Sequence, residues 1–123
     1  MDNATILTAV GRVLLGGLYV VGGVQHFFIL PGLSGALAAR GVPMARLSLI
    51  AASVFQTIAG LLLMLGLWVA PSAIGLVVFT VISSYLMLNF WDLEGPARDG
   101  AKKAVQANLA IIGGLLIAAA QAL

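Results

Sequence analysis

The 123-residue sequence contains no cysteine, a single histidine and only four acidic residues. Without cysteine the chain cannot build a disulfide, a thiol relay, a thiolate-held iron–sulfur cluster or a Cys-containing zinc site from its own residues. One histidine cannot complete a protein-only coordination set, so neither a metal ion nor a haem is expected to be held by this chain alone. The acids are Asp2, Asp92, Glu94 and Asp99. None falls deep in an apolar run, so no carboxylate is available to carry protons through a span, which argues against a small proton-coupled exporter. Charge of either sign is scarce, at 8% of residues, where soluble domains carry about a quarter.

What takes the place of charge is hydrocarbon. Hydrophobic residues make up 62% of the chain and the mean hydropathy is +1.14, which identifies an integral membrane protein. The length admits one transmembrane domain over residues 1–123, of about four spans of roughly 20 residues each. The high isoelectric point, about 9.5, reflects a net charge of only +2. It reports loop charges near lipid headgroups and gives no nucleic-acid surface.

The pattern predicts an all-α four-helix bundle with spans at about 5–29, 44–68, 72–91 and 104–123. In the first, Arg12, Gly16, Tyr19, Gly23 and His26 recur at steps of four, three, four and three, which is one stripe of a helix. Glycines let a neighbouring backbone approach, and the polar groups need partners that lipid cannot offer, so this stripe is expected to face inward. A cleaved signal peptide is the rival reading of this segment, because Ala36-Leu37-Ala38 has the form of a cleavage site. The run is longer than a signal-peptide core, so we expect it to remain as a span.

Pro31 and Gly32 are expected to end the first helix, leaving 33–42 as a mixed interfacial stretch. The second span carries Ser53, Gln56 and Gly60 on one face, with Gln56 expected to bridge helices. A break at Ala70-Pro71 makes the second and third spans antiparallel neighbours. Residues 92–103 form a charged loop with a helix start that leads into the fourth span, where Gly113, in a Gly113-Gly114 pair, is expected to serve helix packing. Trp68 and Trp91 read as interface anchors.

Five basic residues, Arg40, Arg46, Arg98, Lys102 and Lys103, lie on one side of such a bundle, against Arg12 on the other. In a bacterial inner membrane this count puts both termini in the periplasm. A short internal similarity is also present. His26-Phe27-Phe28-Ile29-Leu30-Pro31-Gly32 aligns on Asn89-Phe90-Trp91-Asp92-Leu93-Glu94-Gly95, which reads as two weakly similar helix-pair halves.

Several pieces in sequence order resemble the DoxX family. They are Gly22-Gly23-Val24-Gln25-His26-Phe27, Gly41-Val42-Pro43, the run from Ala59 to Leu67, Asn89-Phe90-Trp91, and Asn108-Leu109-Ala110-Ile111-Ile112-Gly113-Gly114. The resemblance implies a four-helix membrane fold. It also implies association with quinol-oxidase or thiosulfate:quinone oxidoreductase complexes, or an assembly role. Where the family often has an acid in the second span, a His before Phe-Trp and a Lys before the fourth-span Asn, this chain has Gln56, Leu88 and Ala107, which weakens any catalytic carry-over.

Two functions are consistent with these features. In the first, the chain is a non-catalytic subunit or assembly factor that contacts the bilayer and other membrane-protein subunits, or a second copy of itself. In the second, His26, Asn89 and Trp91 line a quinone headgroup site at the cytoplasmic end. Both expect His26 and Asn89 to lie close together, beneath Trp91.

Overall fold

The computed structural model describes residues 2–123; Met1 lies outside them. The described residues form five α-helices and one 3₁₀ turn: α1 (Asn3–Phe28), α2 (Leu30–Ala39), α3 (Ala45–Leu65), α4 (Val69–Met87), the turn Phe90–Asp92, and α5 (Gly95–Gln121). Four helices are long and apolar enough to cross a membrane, and α2 is shorter. The protein is an all-α membrane bundle.

Helix ends explain where the expected spans shift. Pro31 and Pro71, which read as breaks, stand in the first turn of a helix, in α2 and α4, as does Pro96 in α5. An amide proton is not needed there, so proline initiates rather than interrupts. Most of the stretch 33–42, expected as mixed, is therefore helical, and α5 begins at Gly95, so the helix start expected within the charged segment takes up most of it. Ten residues of helix rise only about 15 Å, too little to span, so α2 caps the bundle end against α3.

The second span stops at Leu65, short of its expected end, because Gly66 adopts φ +75°. The amide of Leu67 then bonds the Leu62 carbonyl and that of Gly66 the Leu63 carbonyl, a Schellman closure that requires the left-handed conformation. Gly41 closes α2 in the same way, with Val42 bonding Leu37 and Gly41 bonding Ala38. At the other extremity, Asp2 caps α1 by accepting the Thr5 amide at 2.7 Å, a bond that holds its carboxyl below the usual carboxylate range.

Packing is by two sequential pairs, α1 on α3 and α4 on α5, joined mainly through α3 and α4. The α1–α3 contact is glycine to glycine. A Cβ on Gly16 would collide with the Gly60 carbonyl, and one on Gly60 would lie 2.7 Å from the Gly16 carbonyl. Gly23 is equally confined by Thr57 and the Ser53 carbonyl. Gly16, Tyr19 and Gly23 are the buried residues of α1. The rest of the core is Leu63, Leu76 and Leu115, with Ala59, Ala73 and Ala119 between them.

Gly113 departs from expectation. A Cβ there would meet nothing within 4 Å, whereas one on Gly114 would touch Leu15 at 3.5 Å. The helix contact falls one residue later because α5 presents Gly114, beside buried Leu115, to α1. The two aligned heptads also differ in conformation. His26-Phe27-Phe28 completes α1, while α4 has already ended before Asn89 and the matching residues form the 3₁₀ turn.

Candidate functional site

The polar residues of the spans fall into three groups at different depths. In the middle, Tyr19 on α1 meets Thr80 on α4 with 2.6 Å between their oxygens. Thr80 donates its one hydroxyl proton to the Leu76 carbonyl at 2.7 Å, so the Tyr19 hydroxyl is the donor to Thr80. The Tyr19 carbonyl in turn accepts from Gln56 Nε2 on α3 at 3.0 Å. One residue thereby links three helices, and its ring packs edge to face with Phe79, the centroids 6.4 Å apart. Gln56 Oε1 is buried without a partner among the described residues.

One turn and more beyond, His26 Nδ1 lies 3.0 Å from the Ser53 hydroxyl. Ser53 is fully buried, and its carbonyl accepts from Thr57 at 2.8 Å. The confined Gly22 and Gly23 are what let α1 come near enough for this pair to form.

The α2 end of the bundle is closed by Arg40. Its Nε donates to the Leu86 carbonyl at 3.0 Å and its Nη2 to the Tyr85 carbonyl at 3.3 Å, supplying partners to the open C-terminus of α4. Nη1 lies 3.7 Å from Asp92 Oδ2, which also accepts from Asn89 at 3.1 Å. The guanidinium stands over the Tyr85 ring at 5.9 Å. Trp91 packs between Tyr85 and Phe90, and Lys102 lies over Phe90. Asn108 ties α5 to α4 by donating to Ser84 at 2.9 Å.

The three residues expected at a headgroup site therefore enter different contacts. His26 is bonded to α3, Asn89 to Asp92, and Trp91 to its aromatic neighbours; no hydrogen bond joins His26 to Asn89. The separation arises because α4 ends at Met87 and the Asn89 segment turns toward Arg40. At the opposite end, Arg12 lies against Gly66, at the C-terminus of α3, where the helix dipole favours a cation. Close by, the Thr8 hydroxyl lies 2.8 Å from the Ala4 carbonyl of its own helix and 3.0 Å from Gln121 Oε1, so that the first turns of α1 meet the last turn of α5.

The sequence profile of the DoxX family matches residues 7–89. The chain belongs to the DoxX family. It is also 25% identical over 114 residues to inner membrane protein YphA of Escherichia coli (strain K12), covering 93% of this chain and 81% of that protein. No solved structure matches it. For this DoxX protein, sequence reasoning missed Arg40 as a clamp, having counted it only as loop charge. The available signal was a basic residue directly after a helix and ahead of Gly41-Val42-Pro43. It also missed that Tyr19, expected on the inward stripe of α1, bonds Thr80 of α4.

Removing both partners of that bond should cost less than the sum of removing each alone. In a double-mutant cycle of Tyr19→Phe and Thr80→Val, we expect a coupling energy of about 0.6 kcal/mol, and at most about 1.7 kcal/mol, in reversible unfolding from mixed micelles. Additive single effects would show that the bond contributes nothing to stability.

Proposed function

We propose that this DoxX protein is a non-catalytic integral membrane subunit, or a stabilising factor, of a larger energy-transducing or redox membrane complex. The observation that supports this most is the use made of the interior polar groups. Tyr19, Gln56, Ser53, Thr80, Ser84 and Asn108 each bond another helix, so the chemistry available inside the bundle holds the bundle together. The outward surface is apolar. On α1 alone Leu7, Leu14 and Phe28 are 70%, 70% and 82% exposed, leaving a broad face for lipid, a partner's helices or a second copy.

A quinone-linked role is the second reading, and one feature favours it. Ser53 occupies His26 Nδ1, which leaves Nε2 of a half-buried ring near the end of a span. Asn89 and Trp91 do not join it, so the three residues do not fit one headgroup as a set. On this reading His26 alone would meet a carbonyl oxygen.

Mild solubilisation of the native membrane, followed by affinity capture and mass spectrometry, should recover the chain in fixed stoichiometry with the same larger complex in repeated preparations. Recovery only as free chain or a homo-oligomer would contradict the subunit role. In the recovered complex, His26→Gln should leave turnover per complex unchanged; a loss with normal assembly would favour the quinone reading.

We further propose a bacterial inner-membrane location with both termini in the periplasm. The support is that Arg40, Arg46, Arg98, Lys102 and Lys103 belong to the end of the bundle that carries α2 and the 3₁₀ turn, with Arg12 at the other. Alkaline phosphatase fused after Leu123 should be active. Activity of a cytoplasm-dependent reporter at that position would reverse the orientation.

A further inference from the structure

Arg12 is the one cation within the apolar length of α1, and among the described residues nothing neutralises it. The ion pair found among the described residues is Arg40 with Asp92, at the other end. Arg12 makes no hydrogen bond to a described residue, and its Nε is buried without a partner. Asp2 stands ten residues away on the same helix, about 15 Å along its axis, and its carboxylate is bonded to Thr5. The α3 C-terminus beneath the guanidinium offers partial charge only. A cation so placed in a membrane needs a counter-anion from outside the chain.

The surroundings specify what that anion is attached to. Arg12 lines an open groove of about 310 Å³ between α1 and α5. Thr8 and Gln121 are its other polar residues, and Leu7, Leu15 and Ile117 supply apolar wall. The Thr8 hydroxyl shares its one proton between the Ala4 carbonyl at 2.8 Å and Gln121 Oε1 at 3.0 Å, and the amide nitrogen of Gln121 remains as a donor. The donors are at interface depth. The guanidinium lies against Gly66, in the turn that carries the exposed Trp68, and Gln121 is the last residue of α5.

We propose that this groove binds an anionic phospholipid. The Arg12 guanidinium, helped by the Gln121 amide, receives the headgroup phosphate, and an acyl chain lies along Leu7, Leu15 and Ile117. A planar guanidinium pairs with phosphate oxygens through two parallel bonds, which a neutral headgroup with its own compensating ammonium satisfies less well. The groove opens to the bilayer, where such a lipid is at hand.

Native mass spectrometry of the full chain, presented with equal amounts of phosphatidylglycerol and phosphatidylcholine of matched acyl chains, tests this. Wild type should retain one phosphatidylglycerol with a preference of about fivefold, the size expected of one basic residue at an anionic lipid surface. Arg12→Gln should abolish the preference and Arg40→Gln should keep it. Should Arg12→Gln fail to fold, Ile117→Trp serves, because Ile117 is 62% exposed and a larger ring there fills the groove with Arg12 intact. It too should lose the bound lipid. Equal retention of both lipids by wild type, or an unchanged preference in Arg12→Gln or Ile117→Trp, would overturn the proposal. So would thermal protection by inorganic phosphate equal to that given by phosphatidylglycerol.

Discussion

Everything polar in the middle of this bundle depends on how closely two backbones approach. Gly16 and Gly60 lie so near that a Cβ on either would meet the carbonyl of the other. In lipid there is little hydrophobic gain from pressing two apolar helices together, so contact of this kind supplies the attraction through dispersion and backbone proximity. Its consequences run along α1 toward its C-terminus. At Tyr19 the backbone carbonyl comes within 3.0 Å of the Gln56 amide; at His26 the ring reaches Ser53. Larger residues at the glycines would move α1 outward, and these bonds would lengthen together.

The same contact leaves α1 dependent on one neighbour. Its other faces look outward, and only Gly16, Tyr19 and Gly23 are buried along its length. The α4–α5 pair, by contrast, shares a core of Leu76, Leu115 and the alanines around them. Tyr19 is the buried side-chain hydrogen-bond link between the two halves, bonded to α4 by its hydroxyl and to α3 by its carbonyl. This division gives the family fold a physical basis in this chain. Two helix pairs are each held by small residues, fastened by a few hydrogen bonds that lipid cannot replace, with an apolar exterior free for lipid or for other proteins.

Much of this could be read from the sequence because membrane spans leave few options. The inward stripe of α1 was legible since glycines and polar groups at helical spacing have only one favourable direction to face. The helix ends were harder. Proline was read as a stop at positions 31 and 71, although its missing amide is harmless in a first turn, and only the backbone geometry separates the two cases. Pairings between helices were not legible at all. Nothing in spacing tells that Tyr19 meets Thr80 or that His26 meets Ser53 and not the Asn89 segment, because those depend on the relative rotation and depth of helices. Gly113 and Gly114 illustrate the limit, being adjacent and chemically identical while only the second faces a neighbour.

Adjacent glycines on α1 offer the most direct measurement of the central contact. Gly16 lies against Gly60, whereas a Cβ on Gly17 would meet nothing within 4 Å. Each is replaced by leucine and the free energy of unfolding is measured in mixed micelles. Gly16→Leu should lower stability by about 1–3 kcal/mol, the usual cost of forcing volume into a filled contact. Gly17→Leu, which faces outward, should remain within about 0.5 kcal/mol of wild type. Equal effects at the two positions, or a tolerated Gly16→Leu, would contradict the account.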